Sequence, residues 1–220
     1  QKLGIPESKY SITGDDAIGL TYPNHPQQLG SDIGVNLRFA EYSGLSLKEA
    51  QQIRPVLQSF ARSVQAGLRP VPISLLAHEA DRDSVQPILE GFENLPHPVR
   101  DLESIEGVIA EAGQCRIVIT ASYHAGVFAL SQGASIIGIS ASPYYDSKFE
   151  GLARQFPGGC RYLTVGTTFS PENLEALLRS AWNEAPQKRE ALLQASAHQL
   201  ELSQQAYQQV FTELGLTSTH

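Results

Sequence analysis

The chain has 220 residues, a net charge of −7 and an isoelectric point of about 5.3. With no basic surplus to displace counterions, bulk charge excludes nucleic acid as a partner, though it leaves room for a local basic pocket that takes a small anion. The apolar fraction of 41% suffices for a core, and the longest apolar runs are strand-length, so neither a membrane span nor a secretory leader is expected. These features point to a cytoplasmic protein. The two cysteines, Cys115 and Cys160, each open a strand-like run and lack metal-site spacing, so they read as small buried residues; no metal and no cofactor is expected. Methionine is absent, even from position 1, which suggests a piece of a longer protein.

In chain order, Lys9–Thr13 is a short strand candidate that runs into the turn Gly14-Asp15-Asp16. Pro23 to Gly30 is linker-like, with two prolines and few apolar residues. Residues 1–30 therefore read as the end of a preceding domain or a crossover arm. Ile33–Ala40 is a buried-type strand carrying Asn36 and Arg38. Ser46-Leu47-Lys48-Glu49 is a capping box opening a helix to about Ala66, which Pro55 must start, kink or split. Pro70–Ala77 is the second strand, and Asp81–Phe92 and Leu102–Ala112 are helical, with room for a short strand between them.

The stretch from Cys115 to Glu150 reads as strand, turn, helix, strand, turn, helix. Arg116–Thr120 is β-branched, Ala121 to His124 is a polar turn, and Ala125–Gln132 is a helix that Gly133 stops. Ala134–Ile139 is a second strand, and Ser140–Ser147 a turn into a further helix. Cys160–Val165 is a last strand. Ser170-Pro171-Glu172 opens a helix to about Ala185, and Pro186 starts a long one to about Leu214. Strands alternating with helices define an α/β fold: a Rossmann-like, doubly wound parallel sheet with right-handed crossovers and a long C-terminal helix. The domain proper spans residues 31–185, followed by the helix at 186–220.

In a parallel sheet both turns of the Cys115–Glu150 unit open at the carboxyl edge, so His124 and Lys148 fall on neighbouring loops of one crevice. His124, beside a helix N-terminus that favours an anion, is placed to act as a general acid; otherwise it is a polar first-turn residue. Ser122 is either an N-cap or a hydroxyl donor to a phosphate or carboxylate. Lys148 lies where the helix dipole disfavours it unless Asp146 or a ligand supplies negative charge. Glu150 is a sugar-hydroxyl acceptor or a solvated acid. Tyr144 and Tyr145 wall a sugar site or pack beneath the loop, and Tyr123 belongs to the same set of contacts. Arg38 needs a partner inside its strand: either an internal acid or a ligand carboxylate or phosphate in the crevice, toward which Asn36 points from the same face. Asp15 and Asp16 read as turn residues, since nothing at metal spacing supports them.

Taken together, TGDDAI, IGVNLR, SYHAGVFALSQGASIIGI and YYDSKFEGL resemble the polysaccharide pyruvyl transferase family over roughly residues 10–165. The resemblance implies the C-terminal, donor-binding half of a B-type glycosyltransferase architecture, facing an N-terminal companion domain. It also implies transfer of the pyruvyl group of phosphoenolpyruvate to two sugar hydroxyls as a ketal. The acceptor would be a sugar or a lipid-linked glycan on the way to an exported polysaccharide. His124 falls on the family's general-acid histidine, Lys148 on its later-turn lysine, and Arg38 on an arginine after the first strand. The family turn commonly reads Ser-Arg-x-His, and here Ser122 stands at the arginine position. A nucleotide-sugar glycosyltransferase of the same fold and a non-catalytic binding or assembly domain are the alternatives.

Overall fold

In a computed structural model, residues 6, 10–38, 45–74, 80–99 and 104–216 are described. Among them, five parallel strands form one sheet: β1 (Asp32–Asn36), β2 (Leu68–Pro70), β3 (Cys115–Thr120), β4 (Ser135–Ser140) and β5 (Cys160–Thr164), in the order β2-β1-β3-β4-β5. The helices are α1 (Ile18–Thr21), α2 (Leu47–Ser63), α3 (Asp81–Leu89), α4 (Ile105–Gly113), α5 (Tyr123–Leu130), α6 (Pro143–Gln155) and α7 (Pro171–Glu213).

The strands are buried on both faces because their residues alternate between two cores. Ile33, Val35, Ile117, Ile119, Ile137 and Ile139 pack against α2, α3 and the first half of α7. Val118 and Ile136 face the other way, toward α4, α5 and α6. The second face is crowded enough to require glycine twice. A Cβ on Gly34 would come within 2.8 Å of Cys115 Sγ and of Val118, and one on Gly138 within 2.7 Å of the buried Phe149 ring. Both cysteines are free and buried, as expected.

Several expected boundaries shift, each for a local reason. Residues 10–13 form no strand. The run expected as Ile33–Ala40 is strand only over Asp32–Asn36, with 39–40 outside the described residues. β2 starts and ends earlier than Pro70–Ala77, because the N–H groups of Ile73 and Ser74 donate to the Asp81 carboxylate, at 2.8 and 3.0 Å, rather than to a neighbouring strand. Residues 75–77 lie outside the described residues. The capping box at Ser46 forms with both of its bonds, and Pro55 sits inside a helix that runs to Ser63 unbroken. Pro186 does not start a new helix either: α7 is continuous through it. A proline there removes the N–H that would bond the carbonyl four residues back. That carbonyl, of Trp182, accepts instead from Arg116 Nε at 2.9 Å, and the guanidinium lies over the Trp182 ring, 4.5 Å from its centroid. No helix among the described residues is long and apolar enough to cross a membrane.

Candidate functional site

The strand order reverses between β1 and β3, because the chain steps outward from β1 to β2 and then back past β1. In a doubly wound sheet this leaves a crevice outside the carboxyl ends of those strands, where ligands bind. Three strand ends converge there, and two are built alike. After β3, Ser122 N donates to Thr120 Oγ1 at 2.8 Å, and that oxygen also lies 3.1 Å from the Ser122 carbonyl, which shares the single hydroxyl proton with Asn36 Oδ1. After β4, the Ser140 hydroxyl donates to the Ser142 carbonyl at 3.1 Å and accepts from Ser142 N at 3.4 Å. A hydroxyl at the last strand position thus braces a two-residue turn, and a helix begins at once. The turns are therefore shorter than expected. His124 lies in the first turn of α5 and Lys148 in the second turn of α6, rather than on loops.

The resulting cleft, about 140 Å³, is lined by Arg38, Ala121, Ser122, Tyr123, His124, Tyr144, Tyr145 and Lys148. Among the described residues, no carboxylate lines it. The Lys148 ammonium lies 4.7 Å from the Tyr123 ring centroid and 5.0 Å from that of Tyr144, so aromatic faces hold it in place. Ser122 occupies the N-cap position of α5, yet its hydroxyl makes no capping bond; the residue lines the cleft. Burial, then the charge and hydrogen bond of Asp15, pushes the Tyr123 phenol up to about 12, so it is a neutral donor near neutral pH. The His124 imidazole is half-exposed, with Nε2 3.9 Å from Asp15 Oδ2.

Arg38 is seated by the fully buried Asp81, whose Oδ1 accepts from Arg38 Nε at 2.6 Å. Asn36 is not in the cleft but beneath it. Its side chain is fully buried and bonded on every side: Nδ2 donates to Asp81 Oδ2 and to the Val71 carbonyl, both at 2.8 Å, and Oδ1 accepts from Thr120 Oγ1 at 3.1 Å. It supports Arg38 rather than meeting a ligand. Asp146 and Glu150 are also turned to other partners. Asp146 accepts from Thr164 Oγ1 at 2.6 Å, and Glu150 pairs with Arg154 one helical turn on. Arg38, Ser122, Tyr123, His124, Tyr145 and Lys148 are thus brought together; Asn36, Asp146 and Glu150 are not. Sequence reasoning missed Asp81, because a carboxylate in the first turn of a helix is the commonest of surface residues. It also missed that Asp15 reaches the histidine. A buried-type strand bearing both Asn and Arg, with the next helix opening on Asp, was the available signal for the former.

Fold and cleft define a class: a Rossmann-like α/β domain whose carboxyl edge gathers two cationic side chains and two helix N-termini. Within that class the family is specific. Residues 1–143 match the family model described as polysaccharide pyruvyl transferase, and the chain belongs to that family. A search of curated proteins returns no match. Among solved structures, the fold resembles that of the UDP-GlcNAc 2-epimerase from Neisseria meningitidis bound to UDP-GlcNAc, with a TM-score of 0.53 at 14% identity over 91% of this chain and 56% of that one. It also resembles the calicheamicin glycosyltransferase CalG4, with a TM-score of 0.51 at 13% identity over 88% and 45%. The kitacinnamycin glycotransferase gives a TM-score of 0.50 at 12% identity over 82% and 43%. These likenesses are of fold, and the chain spans about half the length of the structures it matches.

Proposed function

We propose that this chain is the donor side of an enzyme that transfers the pyruvyl group of phosphoenolpyruvate to two hydroxyls of a sugar. The acceptor is a sugar or lipid-linked glycan bound for a polysaccharide, and the products are a cyclic ketal and inorganic phosphate. The observation that carries this reading is the cleft that brings Arg38, after β1, together with His124 and Lys148, in the first two turns of α5 and α6, with no carboxylate among its described lining residues. The cations and the histidine lie close together in it, which suits the carboxylate and phosphate of a three-carbon acid phosphate. Lys148 and Arg38 neutralise the donor's carboxylate and phosphate, with the Ser122 hydroxyl donating where the family commonly has arginine. His124 gives a proton to the donor's methylene carbon, and the first sugar hydroxyl adds to the adjacent carbon. That carbon's bond to the phosphate oxygen then breaks, and the second hydroxyl closes the ketal. Of the two hydroxyl protons, one restores His124 and the other leaves with phosphate.

A companion domain forms the opposite wall in this reading. Its support is an apolar face on the last turns of α7 and its C-cap, where Tyr207, Val210, Phe211 and the capping Leu214 are exposed at helical spacing. The test is calorimetric titration of the full-length protein with phosphoenolpyruvate and with UDP-GlcNAc. Phosphoenolpyruvate should bind, Lys148→Ala should weaken it at least about tenfold, and His124→Ala should lower turnover about 10²–10⁴-fold while the melting temperature holds. Binding of the nucleotide sugar alone would replace the donor. Binding of neither would favour an assembly module.

A further inference from the structure

The Gly14-Asp15-Asp16 turn carries two adjacent carboxylates with opposite duties. Asp16 faces the long helix. Its Oδ1 accepts from Ser203 Oγ at 2.8 Å and its Oδ2 from Tyr207 Oη at 2.5 Å. These two bonds hold its carboxyl below the usual range. Gly14 presses on the same helix so closely that a Cβ would lie 2.6 Å from Gln199 Cβ. The turn is therefore clamped to α7 from two positions. Asp15 faces the other way. Its Oδ1 accepts from Ala17 N at 2.9 Å, which fixes the side chain locally, and its Oδ2 stands 3.9 Å from His124 Nε2. The Tyr123 phenol, one residue earlier on α5, feels the charge of the same carboxylate, which adds to burial in raising its pKa.

We propose that Asp15 is a positioning residue for His124: held in place by the α7 clamp, it orients the imidazole and selects which ring nitrogen carries the proton. A carboxylate beside one ring nitrogen favours the tautomer with hydrogen on that nitrogen. The ring also packs edge-on against Tyr123 at 5.3 Å and near Phe128 at 6.4 Å, contacts that restrict its plane but do not distinguish its two nitrogens; the carboxylate does. The role of His124 as acid rests on the function proposed above; the orientation of its ring does not.

The experiment separates the two. Full-length protein with ¹⁵N-labelled histidine is examined by NMR without substrate, at a pH of about 8.5, two units above the ordinary histidine value. His124→Ala assigns the signal among the six histidines. Asp15→Asn should shift the His124 ring-nitrogen signals toward a different tautomer mixture. Asp16→Asn, remote from the histidine, should shift them the same way by less. In turnover with phosphoenolpyruvate, Asp15→Asn should lower kcat about 10- to 100-fold, a fraction of what a general acid contributes, with the donor KM within about twofold. Asp15→Glu should restore part of the loss. Unchanged His124 signals in Asp15→Asn would overturn the inference, as would a fall in kcat with an equal rise in KM. If the wild type fails to use phosphoenolpyruvate at all, the proposed function falls, while the nitrogen signals still decide the role of Asp15.

Discussion

Replacing Asp81 by alanine tests the support beneath the site most directly. The carboxylate is fully buried and accepts four hydrogen bonds: from Arg38 Nε at 2.6 Å, Asn36 Nδ2 at 2.8 Å, Ile73 N at 2.8 Å and Ser74 N at 3.0 Å. Truncation removes this acceptor from all four donors. Breaking a buried ion pair from one side costs about 3–5 kcal/mol, and each buried donor left unmade adds about 1–3 kcal/mol unless water reaches it. The Arg38 side chain is 19% exposed, so its guanidinium recovers water, and Asn36 keeps its bond to Val71. The lower figure therefore governs, and Asp81→Ala should cost about 3–5 kcal/mol. Asp81→Asn keeps the shape and one acceptor but loses the charge, and should cost about 1.5–3 kcal/mol, the worth of a charged hydrogen bond. Urea unfolding at constant slope measures both. A loss under about 1 kcal/mol for alanine would mean that water satisfies these groups and that Asp81 is not the seat of Arg38. Donor affinity should fall alongside, because Arg38 loses the contact that directs it into the cleft.

The fold was legible where local chemistry and burial agree. The alternating pattern of strands 115–120 and 135–140 set both faces of the sheet, and the capping box at Ser46 fixed a helix start to the residue. It was illegible where a distant group overrides a local signal. Pro186 carries a breaker's signature, and only the fold brings Arg116 to the orphaned Trp182 carbonyl. Likewise β2 ends where the Asp81 carboxylate, not a strand, claims the next amides. The site divides in the same manner. His124, Lys148, Ser122 and Arg38 follow from strand ends and turn spacing, because a parallel sheet gathers its carboxyl edge whatever the sequence separation. Asn36 was misplaced because strand alternation gives a face but not a depth, and its face lies under the cleft. Asp15 went unrecognised because the sequence shows a turn, while its partner His124 is more than a hundred residues away.

Two further outcomes concern the core. Gly138→Ala would drive a Cβ to within 2.7 Å of the Phe149 ring, which is wholly buried and has no room to retreat. It should cost about 1–3 kcal/mol and lower the melting temperature by several degrees in a thermal scan; an unchanged midpoint would show that the ring repacks freely. The last concerns the buried thiols. Burial pushes Cys160 up to about 12 and Cys115 higher still, so neither should react with a disulfide reagent until the chain unfolds. The same burial sets the sign of the alkaline pH dependence. Above pH ~8.5 the unfolded thiols ionise while the folded ones keep their protons, so the unfolded state binds fewer protons and stability falls as pH rises. Each thiol contributes up to about 1.4 kcal/mol per pH unit until the folded value is reached, and Tyr123, raised to about 12, joins above pH ~10. Stability that stays level or rises between pH ~8.5 and ~10.5 would show that water reaches both thiols in the native state. That would contradict the tight packing at the starts of β3 and β5, which flank β4 in the sheet that carries the cleft.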